Sequence, residues 1–478
     1  MNYKFKTKPY GHQLDALDAS WDKENFAYFM EMGTGKSKVL LDNAAVLYDK
    51  GLINALLLIA PKGVYKNWFD SEIPVHLPDH VNKKIVLWKT SDKSIKQIKK
   101  LNTLFEPGAD LRILIMNVES FSSGNGSEFA YKFLSAHPKS MVAIDESTTI
   151  KTPTSNRTKN ILKLSDHCKY RRILTGSPVT KSPLDLYSQC QFLDPWLLDH
   201  QSYYTFRARY SICKKIQVNG RQVEIVVGYR NLGELSDKIK PFSKRILKDD
   251  CLDLPEKSYV KHYVELTKEQ KKVYEQMKKE AIAFLDDKMQ SSATVMTQLM
   301  RLHQITCGHF TADDGTIKDL PCSRLAELMS ILENVEGKTI IWSHYTHDVR
   351  RIIEEIKRVY GDESVVDYYG ATDTDARSTN IKRFQTDDKC RFFVGTTHTG
   401  GYGITLTAGS NMIYFSNGYD LEKRQQSEAR IDRIGQTQKM TYIDIMSQDT
   451  IDERIVKALR NKVNIANKIM DEDFREWI

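Results

Sequence analysis

Cysteine is scarce in this sequence, and no two cysteines form a CxxC pair. The 478 residues contain seven, scattered at positions 168, 190, 213, 251, 307, 322 and 390. An odd, scattered set argues against a disulfide framework and indicates reduced thiols in an intracellular protein. One group could be considered as a zinc site, but its spacing matches no standard zinc finger: His303, Cys307, His309 and Cys322.

Long apolar runs are missing as well. The longest, such as INALLLIAP at 53–61, are too short to cross a bilayer. The first residues, MNYKFKTKPYGHQ, lack the apolar centre of a signal peptide. We therefore expect a soluble protein with no membrane contact, located in the cytoplasm, or in the host cytoplasm if the protein is viral.

The sequence also contains no low-complexity tract and no short-period repeat, and its composition is typical of a globular protein. Hydrophobic residues make up 41% and charged residues 28%, which argues against disorder. A length of 478 residues exceeds what one hydrophobic core serves, so two or three domains are expected. The formal net charge of +8 favours a polyanionic partner, but only weakly.

Short apolar segments alternate with polar helical stretches in both halves of the chain. The segments that we interpret as buried strands are 55–61, 111–117, 141–146 and 171–178, then 338–345, 391–401, 411–420 and 440–447. This alternation predicts parallel sheets covered by helices, which is an α/β fold. Ligands of such sheets bind at the carboxyl ends of the strands, so the loops after these segments are where we expect a site.

A different stretch, at about 195–325, lies between the two halves and is rich in Lys, Glu, Gln and aromatic residues. Its segment 267–289 has apolar residues at helical spacing and predicts a long helix. The sequence therefore predicts two α/β lobes separated by a mainly helical insert. The expected domains are 1–240 (with a helical insertion from about 195), 241–325 for the linker and insert, and 326–478.

A glycine-rich segment, EMGTGKS, directly precedes a helical pattern in the first half. Its Gly33, Thr34 and Gly35 would let backbone N–H groups face a phosphate at the start of a helix. Lys36 would then pair with the β- and γ-phosphates, and the hydroxyl of Ser37 would bind Mg²⁺. The strict pattern GxxxxGK[ST] is not met, because a methionine stands where its first glycine belongs, and a plain turn is the alternative.

Two acidic residues, Asp145 and Glu146, follow a predicted strand directly. Such a pair suits a nucleotide–metal site, where one carboxylate holds Mg²⁺ and the next orients and deprotonates the attacking water. The alternative is a solvated strand end. The next strand runs into LTGSPV at 174–179, which suits a loop that shifts with the nucleotide or a simple turn before a proline.

Taken in order, these segments resemble the superfamily 2 helicases, and among them the Swi2/Snf2 group of DNA translocases. The matching segments are PYGHQ (9–13), EMGTGKS (31–37), LLIAPKGVYKNW (57–68), MNVES (116–120), IDES (144–147), LTGSPV (174–179), TIIWSHY (339–345), VGTTHTGGYGITLTAGSNMIYF (394–415) and QQSEARIDRIGQ (425–436). The last two are the most specific. A further match, QLMRLHQITCGH at 298–309, favours a structural role for its cysteine and second histidine over zinc.

The resemblance implies two RecA-like lobes in tandem with a Snf2-type insert, and ATP with Mg²⁺ as cofactors. Gln13 would read the adenine edge, with Tyr10 or His12 lining the base pocket. Asp145 and Ser37 would hold the metal. The residues implied at the nucleotide from the second lobe are Gly403, Arg430 and Arg433, flanked by Gln426 and Gln436 with less certain roles.

Arg430 and Arg433 lie three positions apart, so on a helix they would share a face. A solvated charged face is the ordinary interpretation. If the first lobe holds a nucleotide, a contact to its phosphate becomes the favoured interpretation. A guanidinium supplied from another part of the chain then stabilises transition-state charge at the γ-phosphate. A forked, always charged arginine suits that role better than a lysine.

Two departures from the family pattern stand out. The acidic motif continues with Ser147 and Thr148, so it lacks the histidine common at its fourth position, which could loosen the link between hydrolysis and nucleic acid. Met30 replaces the aspartate usual in the Snf2 phosphate-binding loop, with an effect that the sequence does not reveal.

A translocase of this type is expected to grip the phosphate backbone of DNA, with strong salt dependence and little base specificity. The candidate contacts are Lys62, Lys66, Asn67, Ser343, His344, Thr396 and Thr397. For each lysine the alternative is an ordinary surface residue. Trp68 is expected to pack rather than to stack on a base.

The sequence thus predicts a DNA-dependent ATPase that acts as a monomeric motor on double-stranded DNA. The first alternative is a superfamily 2 helicase that separates or branch-migrates strands of DNA or RNA, although no strand-splitting wedge is evident. A non-hydrolysing, nucleotide-gated DNA-binding scaffold is a second alternative. It would need a broken catalytic set, and that set is intact. Protein partners are not indicated.

Overall fold

The computed structural model describes residues 3–62, 64–89, 94–218, 221–252, 254–286, 292–312, 314–400 and 404–459. The chain folds as two compact units. Unit 1 consists mainly of residues up to 212 together with 226–253, and unit 2 of 213–225 and 254–462.

Unit 1 is organised by a seven-stranded parallel sheet in the order β3-β4-β2-β5-β6-β1-β9. The strands in this part of the chain are β1 Asn25–Met30, β2 Ala55–Ala60, β3 Lys83–Leu87, β4 Leu111–Asn117, β5 Ser140–Asp145, β6 Tyr170–Leu174, the two-stranded pair β7 Ser211–Val218 and β8 Arg221–Tyr229, and β9 Ser243–Ile246. Every residue of β2, β4 and β5 is buried. A parallel sheet covered on both faces produces such continuous apolar runs.

Helices cover both faces of this sheet, and two clusters of buried apolar side chains form the core of the unit. The helices are α1 Gly11–Asp18, α2 Lys36–Asp49, α3 Tyr65–Asn67, α4 Ile73–His76, α5 Ile95–Asn102, α6 Gly124–Ala136, α7 Asn156–Leu162, α8 Leu186–Leu193, α9 Tyr203–Tyr210, α10 Leu232–Ile239 and α11 Lys248–Cys251. The short helices α3 and α4 are joined by one π-helical turn, Trp68–Glu72.

Unit 2 contains a six-stranded parallel sheet in the order β10-β17-β16-β13-β15-β14. Its strands are β10 Lys257–Val264, the antiparallel pair β11 His309–Thr311 and β12 Ile317–Asp319, β13 Lys338–Ser343, β14 Val365–Tyr368, β15 Phe392–Thr396, β16 Gly409–Tyr414 and β17 Met440–Ser447. Its helices are α12 Lys268–Asp286, α13 Ser292–Cys307, α14 Arg324–Asn334, α15 Thr346–Tyr360, α16 Thr374–Thr386, α17 Thr397–Gly400 and α18 Leu421–Glu428.

The prediction of two parallel-sheet α/β lobes is confirmed, and each predicted strand segment contains a strand. The expected domain boundaries stay predictions. In the structure, the compact unit 1 includes residues 226–253, because β9 pairs with β1 along Ala27–Met30. The stretch 195–325 contains the helices α9 to α13 together with β7 to β12, and β10 joins the sheet of unit 2. The long helix predicted at 267–289 is confirmed as α12 over Lys268–Asp286, while positions 287–289 lie outside the described residues.

Within the described ranges, no helix has both the length and the apolar character needed to cross a membrane. The same part of the chain contains no group of three or more histidine, cysteine or acidic residues arranged to hold a metal ion. The side chains considered for zinc instead have partners within the fold. The ring of His303 pairs through Nδ1 with the Tyr345 hydroxyl at 2.9 Å, and His309 Nδ1 lies 3.1 Å from Asp348 Oδ1.

His303 makes the stability of unit 2 sensitive to acid. Burial lowers the pKa of His303 to about 4. Asp452 and Asp348 oppose this shift, while His344 and Arg324 add to it. The ordinary pKa of a histidine is near 6.5. Between pH 6.5 and pH 4, His303 therefore binds a proton in the unfolded chain but not in the folded chain. This contribution to the free energy of unfolding is therefore complete above pH 6.5 and is lost as the pH falls.

We expect the His303→Gln variant to lose about 2 kcal/mol less stability than the wild type between pH 7 and pH 5, because it lacks this proton linkage. Urea unfolding followed by circular dichroism at the two pH values measures the difference. Equal losses in the two proteins would show that His303 titrates normally in the folded state.

Candidate nucleotide-binding site

The loop between β1 and α2 carries the predicted phosphate-binding residues. Gly33 and Gly35 both adopt left-handed backbone angles, with φ of 86° and 88°, which glycine reaches without steric cost. Helix α2 begins at Lys36, directly after this turn, and the half-buried Ser37 lies in its first turn. The N-terminus of a 14-residue helix therefore faces the loop with its free N–H groups, as a phosphate site requires.

Helix α1 packs against this loop through its first turn. The buried amide of Gln13 donates from Nε2 to the Thr34 carbonyl at 3.0 Å and accepts from the Tyr10 backbone at 3.1 Å. The ring of His12 lies 2.8 Å from the same Thr34 carbonyl through Nε2. A Cβ atom on Gly35 would lie 2.2 Å from Gln13 Nε2, so this contact also requires a glycine.

Tyr10 presents an aromatic face beside the loop. Its ring stacks on His12 with centroids 5.7 Å apart, and 47% of the residue is exposed. The structure thus brings the three residues predicted around adenine, Tyr10, His12 and Gln13, onto one side of the phosphate-binding loop.

Lys36 holds its ammonium inside the loop. Its Nζ donates to the carbonyl oxygens of Met30 at 2.9 Å and Glu31 at 3.2 Å. Burial lowers the pKa of Lys36, against the pull of the Glu146 and Asp145 carboxylates. Met30 itself is the last residue of β1 and is fully buried, so its side chain belongs to the core of the unit.

Asp145 ends β5 and is held by two donors. Its Oδ2 accepts from the indole Nε1 of Trp68 at 2.8 Å, and its Oδ1 accepts from the backbone N–H of Glu146 at 3.1 Å. Burial raises the pKa of Asp145, although the Trp68 hydrogen bond and the Lys36 charge oppose this shift. A desolvated cation and a desolvated carboxylate therefore lie within electrostatic range of each other.

These residues fit a magnesium–nucleotide complex. Mg²⁺ takes oxygen ligands and usually binds through one or two protein groups, with phosphates and water completing the shell. Asp145 and Ser37 supply a carboxylate and a hydroxyl of this kind. A bound phosphate and a bound cation would also offset the desolvation of Lys36 and Asp145, since each would gain an opposite charge.

Glu146 follows in a left-handed conformation with φ 50° and ψ 62°, which is uncommon for a residue with a side chain. Its Oε2 accepts from the hydroxyl of Thr175 at 3.3 Å, and the backbone N–H of Ser177 bonds to the same hydroxyl at 3.2 Å. The structure therefore places the acidic motif next to the loop after β6.

Several residues that support the site were not singled out from the sequence for this role. Trp68 was expected to pack, and it does, but its indole also orients the Asp145 carboxylate. A hydrogen-bond partner for Trp68 could have been predicted from the sequence, because a buried tryptophan needs a partner for its N–H.

Arg245 on β9 is a second supporting residue, and it donates from Nη1 to the carbonyls of Phe29 at 3.1 Å and Gly176 at 3.0 Å. No sequence pattern indicated that contact, since it joins three distant segments.

The two arginines of unit 2 lie beyond the helix that was expected to carry them. Helix α18 ends at Glu428, and both arginines occupy the turns that follow. Arg430 is buried and donates from Nη1 to the Ile404 carbonyl at 3.0 Å. Arg433 is half-buried and donates from Nη1 to the Thr405 hydroxyl at 2.8 Å. Both guanidinium groups thus contact the segment that follows the predicted Gly403, which itself lies outside the described residues.

The two glutamines that flank the arginines are buried within unit 2. Gln426 donates from Nε2 to Glu422 Oε1 at 3.1 Å, and Gln436 donates from Nε2 to the Gly409 carbonyl at 2.8 Å. Gln436 therefore ties the end of the turn to the start of β16, whereas Gln426 bonds within α18.

The predicted DNA contacts range from exposed to fully buried side chains. Lys62 and Lys66 are exposed, and the Lys66 ammonium lies 3.7 Å from Asp70. Asn67 is half-buried and donates to Glu72 at 3.1 Å. In unit 2, His344 is exposed and Thr397 is half-buried. Two side chains are buried within the fold: Ser343, bonded to Asp348 at 3.1 Å, and Thr396, bonded to Thr399 at 3.0 Å.

Two known families match consecutive segments of this chain. A family model described as the SNF2-related domain matches residues 20–311, and one described as the helicase conserved C-terminal domain matches residues 322–435. The chain therefore belongs to the SNF2-related family, as the motifs predicted.

Individual relatives are distant. The chain is 25% identical over 449 residues to an uncharacterized ATP-dependent helicase of Mycoplasma genitalium, with 93% of this chain and 40% of that protein covered. It is 24% identical over 458 residues to a probable ATP-dependent DNA helicase of Arabidopsis thaliana, with 92% and 39% covered. Among solved structures, a SWI2/SNF2 ATPase core of Sulfolobus solfataricus in complex with dsDNA matches with a TM-score of 0.44 and 21% identity, covering 99% of both chains. The chain spans about two fifths of the length of these two relatives.

Proposed function

We propose that this chain hydrolyses ATP and uses the reaction to move along double-stranded DNA. The main support comes from unit 1, where the buried side chains of Lys36 and Asp145 interact electrostatically next to a glycine turn and a helix N-terminus. Membership of the SNF2-related family and the names of the relatives, which include ATP-dependent helicases, support the same conclusion.

Nucleotide binding in this proposal uses unit 1. The backbone N–H groups from Gly33 to Ser37 would face the phosphates. Lys36 would exchange its two carbonyl partners for phosphate oxygens, because hydrogen bonds between ionised groups are stronger. Gln13 would contact the adenine edge, and the stacked pair of Tyr10 and His12 would line the base.

Asp145 and Ser37 would hold Mg²⁺, which when bound neutralises charge on the phosphate oxygens. Glu146 would orient the attacking water and accept its proton, and the Thr175 hydroxyl would hold the Glu146 carboxylate. Arg430 and Arg433 would be supplied by unit 2 and would stabilise charge at the γ-phosphate in the transition state. Hydrolysis would then depend on closure of the two lobes, and repeated closure would produce movement.

Movement along DNA would rely on contacts to the phosphate backbone. The candidates with exposed or half-buried side chains are Lys62, Lys66, Asn67, His344 and Thr397, whereas Ser343 and Thr396 are buried and do not carry the proposal. Such contacts position a protein without reading base sequence and weaken as salt rises. The modest positive charge of the chain, +8, is consistent with a polyanionic partner.

The test is the rate of ATP hydrolysis at fixed moderate salt with no nucleic acid, duplex DNA, single-stranded DNA or RNA. We expect duplex DNA to stimulate turnover most, and the stimulation to fall as salt increases. The Lys36→Ala variant should lose turnover under every condition, whereas Lys84→Ala should behave as wild type, because Lys84 pairs with Glu106 at the surface of the same unit.

Other outcomes would redirect the proposal. Stimulation by single strands or RNA alone would replace the duplex translocase with a strand-separating helicase. Absence of ATP turnover under all conditions would overturn the motor and leave a nucleotide-gated DNA-binding scaffold.

A further inference from the structure

Gln189 on α8 is a fully buried residue whose side chain joins two loops of the nucleotide site. Its Oε1 accepts from the hydroxyl of Ser147 at 2.6 Å. Its Nε2 donates to the carbonyl of Pro178 at 2.8 Å and to that of Asp185 at 2.8 Å. All of these partners lie within unit 1.

The first loop follows the acidic motif. Glu146 has a left-handed backbone, and such a conformation in a residue other than glycine costs of order 1 kcal/mol or more and persists where its surroundings hold it. Ser147 is the next residue, is fully buried, and is anchored through its hydroxyl to Gln189. The anchor therefore acts directly on the backbone that carries the Glu146 side chain.

The second loop runs from Thr175 to Pro178 after β6. Thr175 donates its hydroxyl to the Glu146 carboxylate at 3.3 Å at one end of this loop, and Pro178 accepts from Gln189 at the other. Glu146 is thus connected to this loop twice, once through its own carboxylate and once through Ser147 and Gln189. Loops joined by two routes through a buried amide are expected to shift together.

We propose that Gln189 is a positioning residue for ATP hydrolysis, which keeps the Glu146 carboxylate in register with the Thr175–Pro178 loop. The inference rests on the proposed ATPase function of the same site. An amide is suited to this role because one end accepts and the other donates. Here the acceptor end faces Ser147 and the donor end faces Pro178, so a leucine of similar size would fill the space and connect neither loop.

Replacing Gln189 with leucine is expected to lower the kcat of DNA-stimulated ATP hydrolysis about tenfold, because Glu146 would lose its register with the neighbouring loop. The KM for ATP should stay within about twofold, since Lys36 and the glycine turn are untouched. Ser147→Ala, which removes one hydroxyl and keeps the fold, should lower kcat in the same direction by a smaller factor. The kcat of the double variant should be no lower than that of Gln189→Leu alone, because both substitutions break the same connection between the two loops.

The chain offers a matched control two residues along the same helix. Gln191 also donates its Nε2 to two backbone carbonyls, of Pro195 at 3.3 Å and His200 at 3.2 Å, and neither belongs to the nucleotide site. Gln191→Leu should therefore leave both kcat and KM unchanged. Thermal unfolding of all variants measures the structural cost separately from the effect on kcat.

A Gln189→Leu variant with the kcat of the Gln191→Leu control would overturn the inference, and so would a Ser147→Ala variant with the kcat of wild type. Equal losses in kcat, ATP affinity and thermal stability would also overturn it, since they indicate general damage to the unit. These results differ from failure of the proposed function, in which the wild-type chain itself shows no ATP turnover.

Discussion

Replacement of Arg433 with alanine is expected to reduce ATP turnover by about 10³-fold or more, because an arginine at the γ-phosphate contributes roughly 10³–10⁵ in rate. The side chain is half-buried, and its Nη1 donates to the Thr405 hydroxyl at 2.8 Å. Thermal unfolding of the variant measures what the lost contacts cost unit 2. Steady-state hydrolysis at saturating ATP and DNA measures the loss, and a fluorescent ATP analogue measures binding, which should be nearly unchanged.

Two further variants sharpen this experiment. Arg433→Lys keeps the charge but loses the planar fork, so it should not restore turnover. Arg358→Ala is the matched control, because Arg358 is an exposed residue of unit 2 that pairs with Glu355 on α15. Turnover in Arg433→Ala within tenfold of wild type would contradict its role at the γ-phosphate and would leave Arg430 as the candidate.

Replacement of Glu146 with glutamine is expected to reduce kcat by about 10²–10⁴-fold, the range that a general base contributes. Glutamine has nearly the same shape, and its carbonyl oxygen can still accept from the Thr175 hydroxyl, so the loop geometry should persist. ATP affinity should be retained, because Lys36 and Asp145 remain. A protein that binds ATP but turns it over very slowly is therefore the expected result.

The comparison variants separate this effect from a general change of charge. Asp145→Asn should lower the affinity for the magnesium–ATP complex as well as kcat, since Asp145 is the proposed metal ligand. Glu106→Gln, which removes a surface ion pair with Lys84, should match wild type. A Glu146→Gln enzyme with more than a tenth of wild-type kcat would show that another group activates the water.

The departures from the family pattern acquire a physical explanation in the structure. Ser147, the third residue of the acidic motif, is bonded to Gln189, so a hydrogen bond links the two loops although the usual histidine is absent from the fourth position. Met30 belongs to the buried end of β1, and its carbonyl oxygen, rather than its side chain, contacts Lys36. Its identity at the phosphate-binding loop thus reflects packing in the core.

The two-lobed α/β class and the order of the site motifs were predictable from local patterns in the sequence. Strands such as β2 and β5 were predictable because a buried parallel strand is continuously apolar and ends in polar residues. The glycine turn before Lys36 was predictable because its conformation depends on local backbone freedom. The strand β9, SKRI, was missed because four mixed residues carry no periodic signal, although its pairing with β1 extends unit 1 to residue 253.

The side chains that contact the proposed catalytic groups come from distant parts of the sequence and are brought together by the fold. Trp68 meets Asp145 across 77 positions of sequence, and Gln189 meets Ser147 across 42. The end of helix α18 before Arg430 could likewise not be predicted from the sequence, because both the helix and the turn contain charged residues at short spacing. Hydrogen bonds between distant segments depend on how strands are ordered in a sheet, and no local pattern in the chain encodes that order.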